Sequence, residues 1–165
     1  MNRPFLTVCS LFVAIFAASS DHPAVHVEPT DSVGPRALEK RTEAAVIRDY
    51  LQAWRSLGGA FEQNRAELLD PDFTGTAKEK LGATIKEQLK LGIRTRYLDG
   101  AHNLQLVFYS PEGLSIQLID TAEYDMQILD HETVVTTQHV RERYVVVLTP
   151  TEVRWKVRVF QGQPE

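Results

Sequence analysis

The sequence predicts one α+β domain, with three N-terminal helices packed on one face of an antiparallel β-sheet. Three observations carry this. Between Ala37 and Lys90 the apolar residues recur at helical spacing; after Gly92 the period falls from 3.6 to 2 and stays there to Gln161. A chain of 165 residues, 43% hydrophobic and 24% charged, is enough for one domain with one core. Helices that precede the strands instead of alternating with them gather on one side of the sheet.

The first 20 residues read as an export signal. Met1-Asn2-Arg3 gives a short positive start, Phe5 to Ala18 is an uncharged apolar run, and Ala18-Ser19-Ser20 supplies small residues for cleavage before Asp21. The run is shorter than the roughly 20 residues a membrane-spanning helix needs. The expectation is therefore a cleaved signal and an exported protein, periplasmic or extracellular, with no stable membrane insertion after cleavage. An uncleaved anchor is the alternative. Cys9, the only cysteine, lies inside this run, preceded by Val8 and followed by much of the apolar stretch, which does not suit a lipid-modified cysteine. The processed chain would hold no cysteine, hence no disulfide, thiolate nucleophile or cysteine metal ligand.

Residues 21–36, with three prolines and no sustained period, read as a disordered linker in which His22 and His26 are solvated. The domain then runs over residues 37–165. Ile47, Tyr50, Leu51, Trp54 and Leu57 form one apolar stripe, with Arg41, Arg48, Asp49, Gln52 and Arg55 opposite, and Gly58-Gly59 is expected to end this first helix. A second helical piece, "AFEQNRAELL", stops at Asp70-Pro71. Thr76 and Glu79 have the spacing of a capping box for a third helix that buries Leu81, Ile85 and Leu89 and ends at Gly92. The strands that follow are punctuated at Asp99-Gly100, Ser110 to Gly113, Asp130 to Glu132 and Thr149 to Glu152.

A net charge of −4 and a pI near 5.7 give no general attraction to nucleic acid or anionic lipid. There is no nucleophile motif, phosphate loop or metal-ligand spacing, so neither cofactor nor metal is expected; His131 and His139 lack a second pair of ligands.

From Ala37 to Gln161 the chain resembles the superfamily of nuclear transport factor 2, ketosteroid isomerase and polyketide-cyclase-like proteins. The resemblance lies in the helix "AAVIRDYLQAWRSL", the segment "LLDPDFTG", and the strands "LQLVFYS", "GLSIQLIDTAEYDMQIL", "VRERYVVVLT" and "EVRWKVRVF". It implies a strongly curved antiparallel sheet, the cone fold, in a superfamily that contains enzymes, ligand binders and non-catalytic scaffolds. It carries no catalytic residue across by motif.

One residue breaks the strand pattern. In "GLSIQLIDTAEYDMQIL" the even positions from Leu114 to Ile128 are apolar or aromatic except Asp120, which thus points into the buried face. A turn at Ser110 to Gly113 pairs Phe108 with Ile116, Leu106 with Leu118, Leu104 with Asp120 and His102 with Ala122. The next strand has two possible registers. A four-residue loop at Asp130 to Thr133 sets Arg143 opposite Asp120, whereas a three-residue loop sets Glu142 there, where two carboxylates would share a proton. The absence of glycine from "DHE" favours Arg143, which also turns His139 and Arg141 inward.

The expected ligand pocket comprises Tyr50, Trp54, His102, Leu106, Phe108, Asp120, His139, Arg141 and Arg143, suited to a small ligand with a carboxylate or other anion. The plainer alternative is a structural Asp120–Arg143 ion pair that binds nothing, with Tyr50 and Trp54 as core. Two function classes follow. One is an exported non-catalytic domain that binds a ligand or protein and forms a homodimer through an outward face of Val140, Tyr144, Val146, Leu148 and Phe160. The other is an isomerase, dehydratase or cyclase with Asp120 as the catalytic acid or base.

Overall fold

A computed structural model describes residues 23–29 and 33–163. The expected export signal, its cleavage point and His22 lie outside these residues. The chain order is β1 (Ala24–Val27), β2 (Gly34–Pro35), α1 (Lys40–Gln63), a 3-10 turn (Ala66–Leu69), α2 (Gly75–Lys90), β3 (Ile93–Tyr109), β4 (Ile116–Asp130), β5 (Thr133–Pro150) and β6 (Trp155–Gln163). The sheet has six strands in the order β1-β3-β4-β5-β6, with β2 also paired to β3. Strands β3 to β6 form an antiparallel meander, while β1 and β2 run parallel to β3 along its outer edge.

The fold is α+β with two α-helices, not the three expected, and the sheet is mixed instead of antiparallel, because β1 and β2 pair parallel to β3. Gly58-Gly59 does not end α1, which continues to Gln63 and closes at Asn64 in the left-handed conformation. Each interior glycine costs a helix about 1 kcal/mol. Burial of Leu57, Ala60 and Phe61 on the same turns offsets that cost. The expected second helix is thereby divided between the end of α1 and the 3-10 turn. The capping box is also absent: Thr74 is the N-cap of α2 without a side-chain bond, and Thr76 Oγ1 instead donates to the Arg158 carbonyl. In α2, Ile85 is buried but Leu89 is exposed. Gln88 takes the inward place, its amide donating to the Phe61 carbonyl and its Oε1 accepting from Thr95 Oγ1.

The segment expected to be a disordered linker supplies β1 and β2. Four residues are too few to display a period, and the side chains of Ala24, Val25 and His26 are exposed. The backbone ladder to Ala101–Leu104 orders the segment, continued by Glu28 N–H to the Leu104 carbonyl at 2.8 Å.

The core lies between the helices and one face of the meander. It joins Val46, Tyr50, Ala53 and Leu57 of α1 and Ala77 and Ile85 of α2 to Leu104, Leu106, Ile116, Leu118, Tyr144, Val146, Leu148 and Val157. Bulges interrupt the ladders at Leu98/Ala101, Leu106/Phe108, Ile128/Leu129 and Val147/Leu148. Each bends its strand, and each flips the side chains beyond it to the other face. No helix among the described residues is long and apolar enough to cross a membrane.

Candidate functional site

Asp120 sits at the middle of β4, fully buried, with Leu104 on one side and Tyr144 on the other. Its Oδ2 receives three groups. Tyr50 Oη donates at 2.7 Å, Trp54 Nε1 at 3.2 Å, and His102 Nδ1 lies at 2.9 Å. Trp54 Nε1 is also 2.8 Å from Tyr50 Oη. Tyr50 and Trp54 are four apart, so one turn of α1 presents both to β4. Oδ1, equally buried, has no hydrogen-bond partner among the described residues.

Of the expected pocket residues, the structure brings together Tyr50, Trp54, His102, Leu106 and Asp120 on the inner face. Phe108 is not among them. The bulge at Leu106/Phe108 pairs Phe108 with Gln117 and turns it outward, and Tyr109 takes the inner position. His139, Arg141 and Arg143 are also on the opposite face, exposed. The hairpin does pair Leu129 with Val134, but Ile128 then pairs with Thr136, so Val135 is an extra residue in β5. That single insertion moves Arg143 opposite Thr121 and puts Tyr144 opposite Asp120, overturning both registers considered from the sequence. The Asp120–Arg143 ion pair does not exist. His139 instead lies between Asp125 (Nδ1 to Oδ1, 2.8 Å) and Glu123 (Nε2 to Oε1, 3.1 Å) on the outer face. These two carboxylates raise its pKa above the ordinary histidine value, the hydrogen bond to Asp125 contributing most.

The same shift reveals residues the sequence reading had placed elsewhere. Tyr144 and Glu142 face inward, where Tyr124 Oη and Tyr144 Oη are 2.7 Å apart and Tyr144 Oη donates to Glu142 Oε2 at 3.1 Å. Glu142 folds over Gly162, where any side chain would collide with it. Trp54 stands at the centre of the aromatic cluster, with ring centroids 5.7 Å from Tyr124, 5.6 Å from Tyr144 and 5.5 Å from Phe160. Tyr144 and Phe160 stack at 4.6 Å. Burial pushes the phenol pKa values of Tyr50, Tyr97, Tyr124 and Tyr144 upward; the neighbouring Asp120 carboxylate adds to the shift at Tyr50. These groups stay protonated donors at neutral pH. The face expected to carry a homodimer interface is composed differently too: Tyr144, Val146, Leu148 and Phe160 belong to the interior, and Ile119, Val145, Val147 and Val159 are the half-buried outward residues.

A cavity of about 340 Å³ opens beside this network, between the second half of α1 and β3. Leu51, Trp54, Leu98, Tyr97 and Tyr124 give it apolar walls, and Gly58 and Gly59 contribute bare helix surface. Pro23, Arg55 and Glu62 also line it, and His102 is its buried polar group. Asp120 does not line it. The carboxylate reaches the cavity only through His102 and Trp54. No group of metal-ligating side chains occurs among the described residues.

No family model and no curated protein matches the chain. Among solved structures, the intermembrane space region of the chloroplast protein ARC6 aligns over 79% of this chain and 100% of its own, with a TM-score of 0.59 and 17% identity. A structure from Catenulispora acidiphila aligns over 74% of this chain and 94% of its own, with a TM-score of 0.49 and 13% identity. At such identities the likeness is one of fold.

Proposed function

We propose that this chain is an exported, non-catalytic ligand-binding domain related to the superfamily of nuclear transport factor 2 and ketosteroid isomerase. The observation that carries the reading is the cavity beside α1, apolar in its walls and furnished with one buried histidine that is oriented by a carboxylate behind it. Ligand sites have this composition, with many apolar contacts and a few fixed polar groups. Export is supported by the N-terminal apolar run, and by the fold's occurrence in the intermembrane space region of ARC6.

The enzyme reading gave the chemistry to Asp120. A fully buried carboxylate whose Oδ2 is occupied by three neighbours, outside the cavity wall, has no access to a reacting atom there. This weighs toward binding.

The test is a titration of isotope-labelled protein with a panel of small mono- and bicyclic fragments. Chemical-shift changes should cluster on Leu51, Trp54, Gly58, Leu98, Gly100 and Tyr124. A panel that moves no resonance of this group at millimolar concentration, or moves only the outer face around Ile119 and Val145, would sink the proposal.

A further inference from the structure

We infer that the ligand of this cavity is a neutral, flat-ringed molecule that offers one N–H or O–H donor to His102 Nε2, an inference that rests on reading the cavity as the ligand site. Three groups converge on Asp120 Oδ2, and a carboxylate oxygen accepts without donating. His102 Nδ1 therefore carries a ring proton, and a ring assigned the neutral form keeps a lone pair on Nε2. Nε2 has no hydrogen-bond partner among the described residues, and His102 lines the cavity. Gly100 leaves it uncovered, since a Cβ built there would stand 3.7 Å from Nε2.

The surroundings select against charge. Arg141 and Arg143, from which an anionic ligand was expected, are on the other face of the sheet. The two charged groups lining the cavity are of opposite sign and already engaged: Arg55 Nη1 donates to Gln52 Oε1 at 2.9 Å, and Glu62 Oε1 accepts from Arg96 Nε at 2.7 Å. What remains is ring surface. Trp54 lies 5.0 Å from His102 and 6.4 Å from Tyr97, centroid to centroid, and Tyr97 lies 5.4 Å from Tyr124. Flat apolar bodies pack well on such faces and edges. A site built around an acceptor discriminates against the isostere that lacks a donor, because the acceptor is then left unpaired.

Indole and benzofuran have nearly the same shape, and only indole carries an N–H. Full-length isotope-labelled protein would be titrated with indole, benzofuran and benzoate, following the Trp54 and Gly100 amides and the His102 ring nitrogens. Indole should bind about tenfold or more tightly than benzofuran, the difference one hydrogen bond supplies, and should shift the Nε2 resonance. His102→Phe should erase the preference for indole over benzofuran. Gly100→Ala leaves the Asp120 network intact, and by placing a methyl against Nε2 it should narrow the preference in the same direction. Equal affinities for indole and benzofuran would overturn the donor assignment and leave the ligand site standing. Tightest binding by benzoate would overturn it in favour of an anion. If none of the three moves a cavity resonance, both this inference and the ligand-site reading fall.

Discussion

Tyr50 Oη and Asp120 Oδ2 lie 2.7 Å apart and join the middle of α1 to the middle of β4. Both side chains are fully buried, so neither can turn to water if the other is removed. Tyr50→Phe should cost about 1–3 kcal/mol. Asp120→Leu leaves Tyr50 Oη and His102 Nδ1 without their acceptor and Trp54 Nε1 with Tyr50 Oη alone, and should cost about 3 kcal/mol or more. The double variant should lose less than the sum, because the phenylalanine brings no orphaned hydroxyl. Denaturant melts of the four proteins would give the coupling directly. Additive losses would mean that the two side chains do not share a hydrogen bond.

Arg143 should behave as a surface residue. It stands opposite Thr121 on the exposed face, and Arg143→Ala should change stability by no more than about 0.5 kcal/mol, without coupling to Asp120. A loss of several kcal/mol in the same melts would show that the β5 register is wrong.

What could be read from the sequence at this site follows the same line. The pairing of β3 with β4 near Asp120 is as expected, with Leu104 facing Asp120 and His102 facing Ala122, but the turn did not fix it: Tyr109, not Phe108, pairs with Ile116, and the bulge at Leu106/Phe108 cancels that one-residue error before Asp120 is reached. Tyr50, Trp54 and the inward Asp120 were legible from period alone. The β5 register was not. Its hairpin pair, Leu129 with Val134, agreed with the count, but "TVVTT" is uniformly β-branched and nothing in it marks Val135 as an extra residue. One uncounted residue reversed every side chain that followed, hiding Tyr144 and Glu142 and turning Arg143 inward on paper. Phe108 was misplaced by a bulge of the same kind. Continuation of α1 through Gly58-Gly59 depended on tertiary burial, which local propensity does not record.

His139 should titrate above the ordinary histidine value, because Asp125 and Glu123 both accept from its ring. A folded-state pKa above the unfolded one means that the stabilisation is complete below about pH 6.5 and is lost as pH rises through the folded value. The group is well exposed, so the effect should be small and should shrink further in high salt. A histidine NMR titration would give the pKa, and melts of wild type and His139→Gln across the same window would give the linked stability. A His139 that titrates at or below the ordinary value would refute the two-carboxylate clamp.

Gly58 separates the helix from the cavity it lines. It sits inside α1, and a Cβ built on it meets nothing within 4 Å. Glycine is a poor choice for a helix interior unless space is wanted there. Gly58→Ala should therefore stabilise the protein by about 1 kcal/mol, through helix propensity alone. Gly58→Leu should also fold, since the added side chain enters open space, but it would occupy part of the 340 Å³ beside Trp54. The two variants should diverge in binding: fragments that shift the Trp54 and Gly100 resonances in wild type should still do so in the alanine variant and fail in the leucine variant. Unchanged fragment binding by a folded Gly58→Leu protein would show that the ligand lies elsewhere.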